Sequence, residues 1–456
     1  MRCDKWIVIG GGASGIATSF FLKQRGIDSE IIEGQSAIGG RMGSVKLGNR
    51  LLDCGGKNIG RGYALFRQFA AALGAHPFEH FGLNSSQARN GRLVTFDGQR
   101  RWRSLLDLAC GMSPFDMARF ARMLRRVKSA EENGYLGSSY FSSMEERHDH
   151  RPVSEYFGRE FCRRIIRPMS VRMNGAEPDE IHLGNLGSNL RMVMDTYDQL
   201  RDGLAPLLRD FEDGNSVRLN TRCESLVLRN GRVAGVRVRN DRGASEELAC
   251  SGVVLATPAP VSAGLVQPIL PDLARRLRSV AYYPVMLVLA EYRRPIFCSR
   301  VRAVVFDEEE PLSNAGAYGL NDLHVVRYTF SGRTARRCFA ESVGDEDLLR
   351  MGEGALNRYI RVSERERENF AVRRFDLGLC AYTPSHSNFL DAVGRELRKA
   401  SGLYVTGDYI QGASIEACFR SAKACVRQLA VAERERKRCA GPEAAIVSHV
   451  ERRDGR

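Results

Sequence analysis

Residues 10–15 read Gly10-Gly11-Gly12-Ala13-Ser14-Gly15, and what flanks them constrains the fold more than any other feature of the chain. Before them runs Lys5-Trp6-Ile7-Val8-Ile9, a short β-branched apolar stretch suited to a buried parallel strand. After them, residues 16–25 carry a helical pattern, closed by Gly26 at the C-terminal cap position. A second strand is expected over residues 27–32, ending in Glu33. Gly10 allows the tight turn, Gly12 leaves room for a pyrophosphate, and Gly15 lets helix and strand approach closely. The helix start at Ala13 and Ser14 offers free N–H groups and a positive dipole end to phosphates. Glu33 stands where a carboxylate can accept hydrogen bonds from ribose hydroxyls, and it disfavours a 2′-phosphate. A GxGxxG alone is weak evidence; with strand, helix and terminal acid in place it predicts dinucleotide binding.

Other classes are poorly supported. The first residues are not read as a signal peptide, because the apolar run breaks into glycines with no small-residue cleavage pattern. No apolar stretch reaches the length of about 20 residues that a membrane span needs. The twelve cysteines are scattered, with no CxxC pair and no zinc-site spacing, which favours a reducing, cytoplasmic setting. No metal site is expected: His76 and His80, and His148 and His150, lack further ligands, and Pro77 interrupts the first pair. The net charge of +14 comes from basic residues spread along the whole chain without a recognition motif. Nucleic acid is therefore not the expected partner, and an anionic substrate or membrane surface suits the charge better.

Further along come Gly39-Gly40-Arg41 and then Leu51-Leu52-Asp53-Cys54-Gly55-Gly56. The order GxGxxG, terminal Glu, GGR and D-x-G-G resembles the flavin-containing amine oxidase, protoporphyrinogen oxidase and phytoene desaturase superfamily. The resemblance implies FAD as cofactor. It places Glu33 and Gly34 by the adenosine, Gly40 and Arg41 near the diphosphate, and the backbone of Gly55 and Gly56 by the flavin. Gly252-Val253-Val254-Leu255-Ala256-Thr257-Pro258 is similar to the family's buried strand ending in A-T-P, which implies cofactor contacts for Ala256 and Thr257. Residues 216–220 and 232–238 read as strands of a hairpin-like unit turning at Asn230-Gly231. In the family, backbone just after the first of them pairs with the adenine edge, here near Cys223. Gly402-Leu403-Tyr404-Val405-Thr406-Gly407-Asp408 resembles the family's strand ending in Gly-Asp, which holds the ribityl or diphosphate region through Gly407 and Asp408. A helix over residues 415–430 follows, and Ser414 and Ile415 at its start are expected to face the flavin's N1–C2=O edge.

The fold class is α/β: a Rossmann-like, glutathione-reductase-type FAD-binding domain with an inserted α+β substrate-binding domain. The expected FAD-binding domain is discontinuous, over residues 1–75, 205–262 and 400–432. The insertions at 76–204, mostly helical, and 263–399, with β-rich patches at 285–290 and 302–306, are assigned to substrate binding. Residues 433–456 are expected to be a flexible tail. A basic amphipathic helix over 113–129 carries Phe115, Met117, Phe120, Met123 and Leu124 among arginines. It is read as packing its apolar stripe on the core rather than on a membrane.

Flavin carries its own redox chemistry, so the sequence says least about catalysis. Lys57, directly after Gly55-Gly56, is the first candidate, as a group that binds a substrate carboxylate or stabilises reduced flavin. Tyr409 follows Asp408 and is a candidate for the cavity wall. His386 and Tyr382 lie in a segment that passes near the substrate in the family, and Arg167 is a candidate for an anionic group. The amine oxidases usually carry an aromatic residue where this chain has Ser414, which puts simple amine oxidation in doubt. The expected activity is oxidation or dehydrogenation of a small or medium organic substrate by hydride transfer to flavin N5, with O2 or another acceptor, in a biosynthetic pathway. A desaturase- or protoporphyrinogen-oxidase-like enzyme and an amine- or amino-acid-oxidase-like one both fit. A flavin-dependent isomerase and a non-catalytic binding protein of the same fold are the alternatives.

Overall fold

The Ile-Val-Ile run at the start of the chain does form a buried strand, and a parallel sheet is assembled around it. The computed structural model describes residues 5–82, 84–89, 91–97, 111–340 and 342–439. The parallel sheet has the order Ser216–Arg218, Ser29–Ile32, Trp6–Ile9, Gly252–Leu255, Leu403–Val405. Its strands come from three widely separated stretches of sequence. Trp6–Ile9 and Gly252–Leu255 are buried at every residue, as central parallel strands covered on both faces must be. The helix Ala13–Lys23 packs against the long helix Ile415–Cys439, with Phe21 edge-on to Phe419. Phe66, Phe69 and Phe211 complete this aromatic core, each fully buried side chain contributing about 1.5–3 kcal/mol of apolar burial.

A second, mixed sheet of seven strands has the order Arg367–Tyr382, Ala281–Tyr292, Val325–Phe330, Leu312–Ala317, Ala303–Val305, Asn84–Arg89, Arg92–Asp97. Both of the stretches expected as insertions contribute strands to it, joined where Ala303–Val305 runs parallel to Asn84–Arg89. The first insertion is therefore less helical than its sequence suggests. Asn84–Arg89 and Arg92–Asp97 pair with each other as a hairpin at the sheet edge, and the mostly polar Asn84–Arg89 is joined to the rest of the sheet by Ala303–Val305.

Two boundaries differ from the sequence reading. Ser216–Arg218 is not a hairpin strand; it is the outer strand of the parallel sheet, beside Ser29–Ile32. Asn220, at φ 50°, then redirects the chain into Thr221–Arg229, which pairs with Arg232–Asn240 through the left-handed turn Asn230-Gly231. The C-terminal helix also runs past the expected start of the tail, to Cys439, and residues 440–456 lie outside the described residues. Its extension rests on helix-favouring Glu and Arg repeats.

The basic amphipathic helix spans Pro114–Ser129. Met123 and Val127 are buried, and Phe120 lies edge-on to Phe161 at 5.3 Å between ring centroids, so this part of the apolar stripe packs inward while the arginines face out; Phe115, at 79% exposure, does not pack on the core. Among the described residues no helix is long and apolar enough to cross a membrane.

Candidate active site

The glycine loop between the first strand and helix is shaped by contacts that no side chain would survive. Gly10 turns the chain at φ 103°. A methyl group on Gly15 would lie 1.8 Å from the Gly10 carbonyl oxygen and 3.5 Å from the Ala256 Cβ, so the helix start is pressed against the turn and the neighbouring strand end. At Gly12 the case is reversed: among the described residues nothing lies within 4 Å of where a methyl would stand. The loop therefore has a hollow at the start of the helix, walled by Ala13 and the buried Ser14. Gly39 closes it, donating its N–H to the Gly11 carbonyl at 2.8 Å, and Gly40 brings its own bare backbone opposite Gly12. Thr257 and Ala256 lie against Gly10 at 3.0 Å from its missing methyl.

Glu33 sits at the strand end with its carboxylate turned back on the loop. It accepts from the Gly11 N–H at 2.6 Å and the Gln35 N–H at 2.8 Å. Its backbone joins the neighbouring strand end, since Thr221 N donates to the Glu33 carbonyl at 2.9 Å. Arg222 covers Gly34, and Cys223 lies half-buried at a bulge in its strand.

The other wall of the hollow carries charge. Arg41 donates to Asp408 at 2.7 Å and to the Gly378 carbonyl at 3.3 Å. Burial opposes this guanidinium's charge, but the Asp408 carboxylate outweighs it and holds the Arg41 pKa above its ordinary value. Tyr282, from the second sheet, donates to the other Asp408 oxygen at 2.5 Å. Gly407 precedes Asp408 with its N–H 3.4 Å from Ser421 Oγ. Nearby, Ser414 caps the last helix: its hydroxyl accepts from Ala417 N at 3.1 Å, leaving the first peptide N–H groups at Ile415 facing outward from the helix end. Ile415 approaches Gly56, 3.8 Å from where its methyl would be. Gly56 is open, whereas Gly55 is pressed on Arg41, where a methyl would lie 1.9 Å from the carbonyl oxygen. Of the two glycines, Gly56 is thus the one whose backbone is free to meet a ligand.

The family model of flavin containing amine oxidoreductases matches residues 13–430, from the first helix to the last. The chain belongs to this family. Its fold is similar to cyclohexylamine oxidase from Brevibacterium oxydans IH-35A, at a TM-score of 0.75 and 15% identity over 95% of this chain and 100% of that one. It is also similar to a putrescine oxidase double mutant, at 0.70 and 14% over 94% and 99%. A protein from Exiguobacterium sp. 255-15 named as a protoporphyrinogen oxidase gives 0.68 and 16% over 94% and 99%. The protein is an FAD-dependent oxidoreductase, and its residues fit the cofactor. The hollow at Gly12, the bare Gly40 opposite it and the helix start at Ala13 suit a diphosphate. The capped helix end at Ile415 beside Gly56 suits an electron-rich ring edge.

The candidate catalytic side chains lie deeper than their positions in the sequence suggest. Lys57 is buried, donating to Gln199 Oε1 at 2.7 Å and to the Tyr318 carbonyl, between the rings of Phe81 and Tyr318. Burial, and then the nearby Arg327, lower its pKa to about 7. The exposed neighbour is Asn58, because alternate residues of an extended segment face opposite ways.

Tyr409 is fully buried in a core cluster with Phe389 and Leu255, so it supports the Asp408 turn rather than lining open space. His386 is also fully buried, its Nε2 2.7 Å from the Tyr409 carbonyl and its Nδ1 3.2 Å from Thr383 Oγ1. Burial lowers its pKa to about 4, leaving it neutral and without access to a substrate proton. Tyr382 accepts from Ala413 N at 2.9 Å, with its own backbone at φ 67°. Tyr382 and His386 therefore grip the segment between Asp408 and Ser414 from behind. Arg167 is taken up by Glu177, at 2.8 and 3.3 Å, and by the Phe306 carbonyl, which removes it as a substrate group. Tyr282 and Arg327 were not singled out from sequence. The first carried no motif, and the second is one of 68 basic residues.

Proposed function

We propose that this chain oxidises or dehydrogenates a small or medium organic substrate, for which FAD held by these residues would supply the hydride acceptor and O2 or a second acceptor would take the electrons on. The bound flavin supplies the two-electron chemistry, so the protein's task is to hold, orient and electrostatically bias the reactants. One observation carries the reading: three elements converge on the same space, namely the open backbone of Gly56, the helix end at Ser414–Ile415 and the Arg41–Asp408 pair. Positive charge from Arg41 and from the helix start balances anionic groups, the first beside a diphosphate and the second where negative charge develops on reduction. Asp408, fixed by Arg41 and Tyr282, suits hydrogen bonding to a polyol chain between them.

Tyr382 and His386 serve as positioning residues for the Asp408–Ser414 segment. Glu33 suits the adenosine ribose, Cys223 the adenine edge, and Lys57, held by Gln199 and the Tyr318 carbonyl, serves to anchor the segment after Gly55–Gly56. The serine at the helix cap provides no aromatic surface for an amine, which favours a substrate other than a simple alkylamine. The test is anaerobic mixing of the FAD-loaded protein with a substrate panel, followed by admission of air. Bleaching of the flavin absorbance by a substrate, with recovery in air or on adding an acceptor, is the expected result. Turnover to a product of unchanged oxidation state, with no net electron transfer to any acceptor, would replace this reading with an isomerase.

A further inference from the structure

We infer that Arg327 is a positioning residue that tunes the bound flavin: hydrogen-bonded to the Gly55–Gly56 peptide from the seven-stranded sheet, its fixed, unpaired charge makes the flavin easier to reduce. The inference rests on the oxidoreductase reading above and adds a residue to that same site.

Arg327 lies in Val325–Phe330, an interior strand of the sheet. Leu289 stands opposite it on one side and Gly316 on the other, so its backbone is held from both edges. Successive residues of a strand face opposite ways. Val326 and Tyr328 point into the core cluster that holds Leu348 and Leu356 of the helix Asp345–Asn357. Arg327 faces the other way, with Leu289 and Val325, which pack on Leu47, Leu52 and Cys54. That side of the sheet is the one that meets the D-x-G-G segment.

There the Arg327 Nη1 donates to the Gly55 carbonyl at 2.8 Å. The other polar end of the same peptide is held too, since Gly56 N donates to the Arg41 carbonyl at 3.0 Å. The peptide is thus pinned at both ends, once by the sheet and once by the segment that carries Arg41. Neither contact takes up the open side of Gly56, where Ile415 lies 3.8 Å from the position of a methyl.

A neutral donor would satisfy that carbonyl at a smaller desolvation cost than a guanidinium, so the charge itself has work to do. Arg327 has no ion pair among the described residues, and its Nε is buried without an acceptor. Asp53, the acid of the same segment, already accepts from Leu204 N at 3.0 Å and Ser44 Oγ at 2.9 Å. The other cations at this segment are compensated differently. Arg41 is paired with Asp408. Lys57 is held by the neutral Gln199 amide and the Tyr318 carbonyl, with its pKa lowered to about 7. Burial lowers the Arg327 pKa as well, but a guanidinium stays protonated at any working pH. A fixed, desolvated cation stabilises the electron-rich form of a neighbouring ring over its oxidised form.

The test begins with the FAD content of the wild type, so that failure of the cofactor reading is seen separately. The reduction potential of the bound FAD is then measured against reference dyes, together with Tm, for the wild type, Arg327→Gln, Arg327→Met and Arg327→Lys. Two neutral variants are used so that one that fails to fold does not decide the matter, and glutamine can still donate to Gly55. At a fixed potential the ratio of reduced to oxidised flavin is expected to fall about tenfold in the neutral variants, the order expected of one fixed charge inside a protein. For a two-electron couple that is a shift of about 30 mV to more negative potential. Arg327→Lys should stay within about threefold of wild type, because it keeps the charge. Neutral variants with the wild-type potential, or a lysine variant shifted as far as they are, would overturn the inference. Loss of FAD from folded neutral variants would make Arg327 a binding group instead and would overturn it too.

Discussion

A methyl on Gly15 meets a backbone oxygen at 1.8 Å, whereas one on Gly12 meets nothing within 4 Å among the described residues, and this contrast separates folding from cofactor binding. Gly12→Ala is expected to keep the wild-type far-UV circular dichroism and Tm while losing most of its FAD, because the methyl fills only the hollow meant for the diphosphate. Gly15→Ala should lose both. A Gly12→Ala protein with full FAD content would place the diphosphate elsewhere. His386 gives a second residue-scale prediction. Its folded pKa of about 4 lies below the ordinary 6.5, so the unfolded chain binds the extra proton first as pH falls. Stability from this residue is present above pH 6.5, is lost progressively as pH falls to 4, and stays constant below that. The loss is on the order of 3 kcal/mol. His386→Gln should flatten that part of the profile relative to wild type in urea unfolding at a series of pH values. Parallel profiles for the two proteins would mean that the imidazole is not held neutral by burial.

The last helix, Ile415–Cys439, is the element on which both the fold and the site depend. Ser414 caps it, and Glu416 in its first turn accepts from Leu65 N and Phe66 N at 3.1 Å, capping the helix Ala64–Ala72 in turn. Ser414→Ala should cost about 1 kcal/mol in urea unfolding, the usual worth of a hydroxyl cap. No measurable change would show that the hydroxyl does not hold the helix end. At this scale the sequence is legible in part. The strand, glycine loop and helix over residues 6–23 were legible because strand, turn and helix signals are all local there. Ser216–Arg218 was misplaced because three residues carry no period of their own, and the parallel partner lies nearly 190 residues away. Lys57 was singled out over Asn58 because a charged residue draws attention, although alternation after a glycine pair was the available signal.

In the molecule as a whole, polar ties join the seven-stranded sheet to the cofactor region, among them Tyr282 to Asp408, Tyr318 to the backbone of Asp53, and Arg327 to the backbone of Gly55. These three end on residues of the family's own motifs, so the two sides are positioned by the same few side chains. The net charge of +14 adds a field that favours anionic ligands. All of this depends on FAD being the group that fills the cradle. The most direct test is the absorption spectrum of the purified protein, followed by heat release and chromatography of the chromophore. The account predicts the two visible bands of oxidised flavin and FAD in the supernatant, close to equimolar with the chain. A colourless protein that takes up no FAD on reconstitution would contradict it.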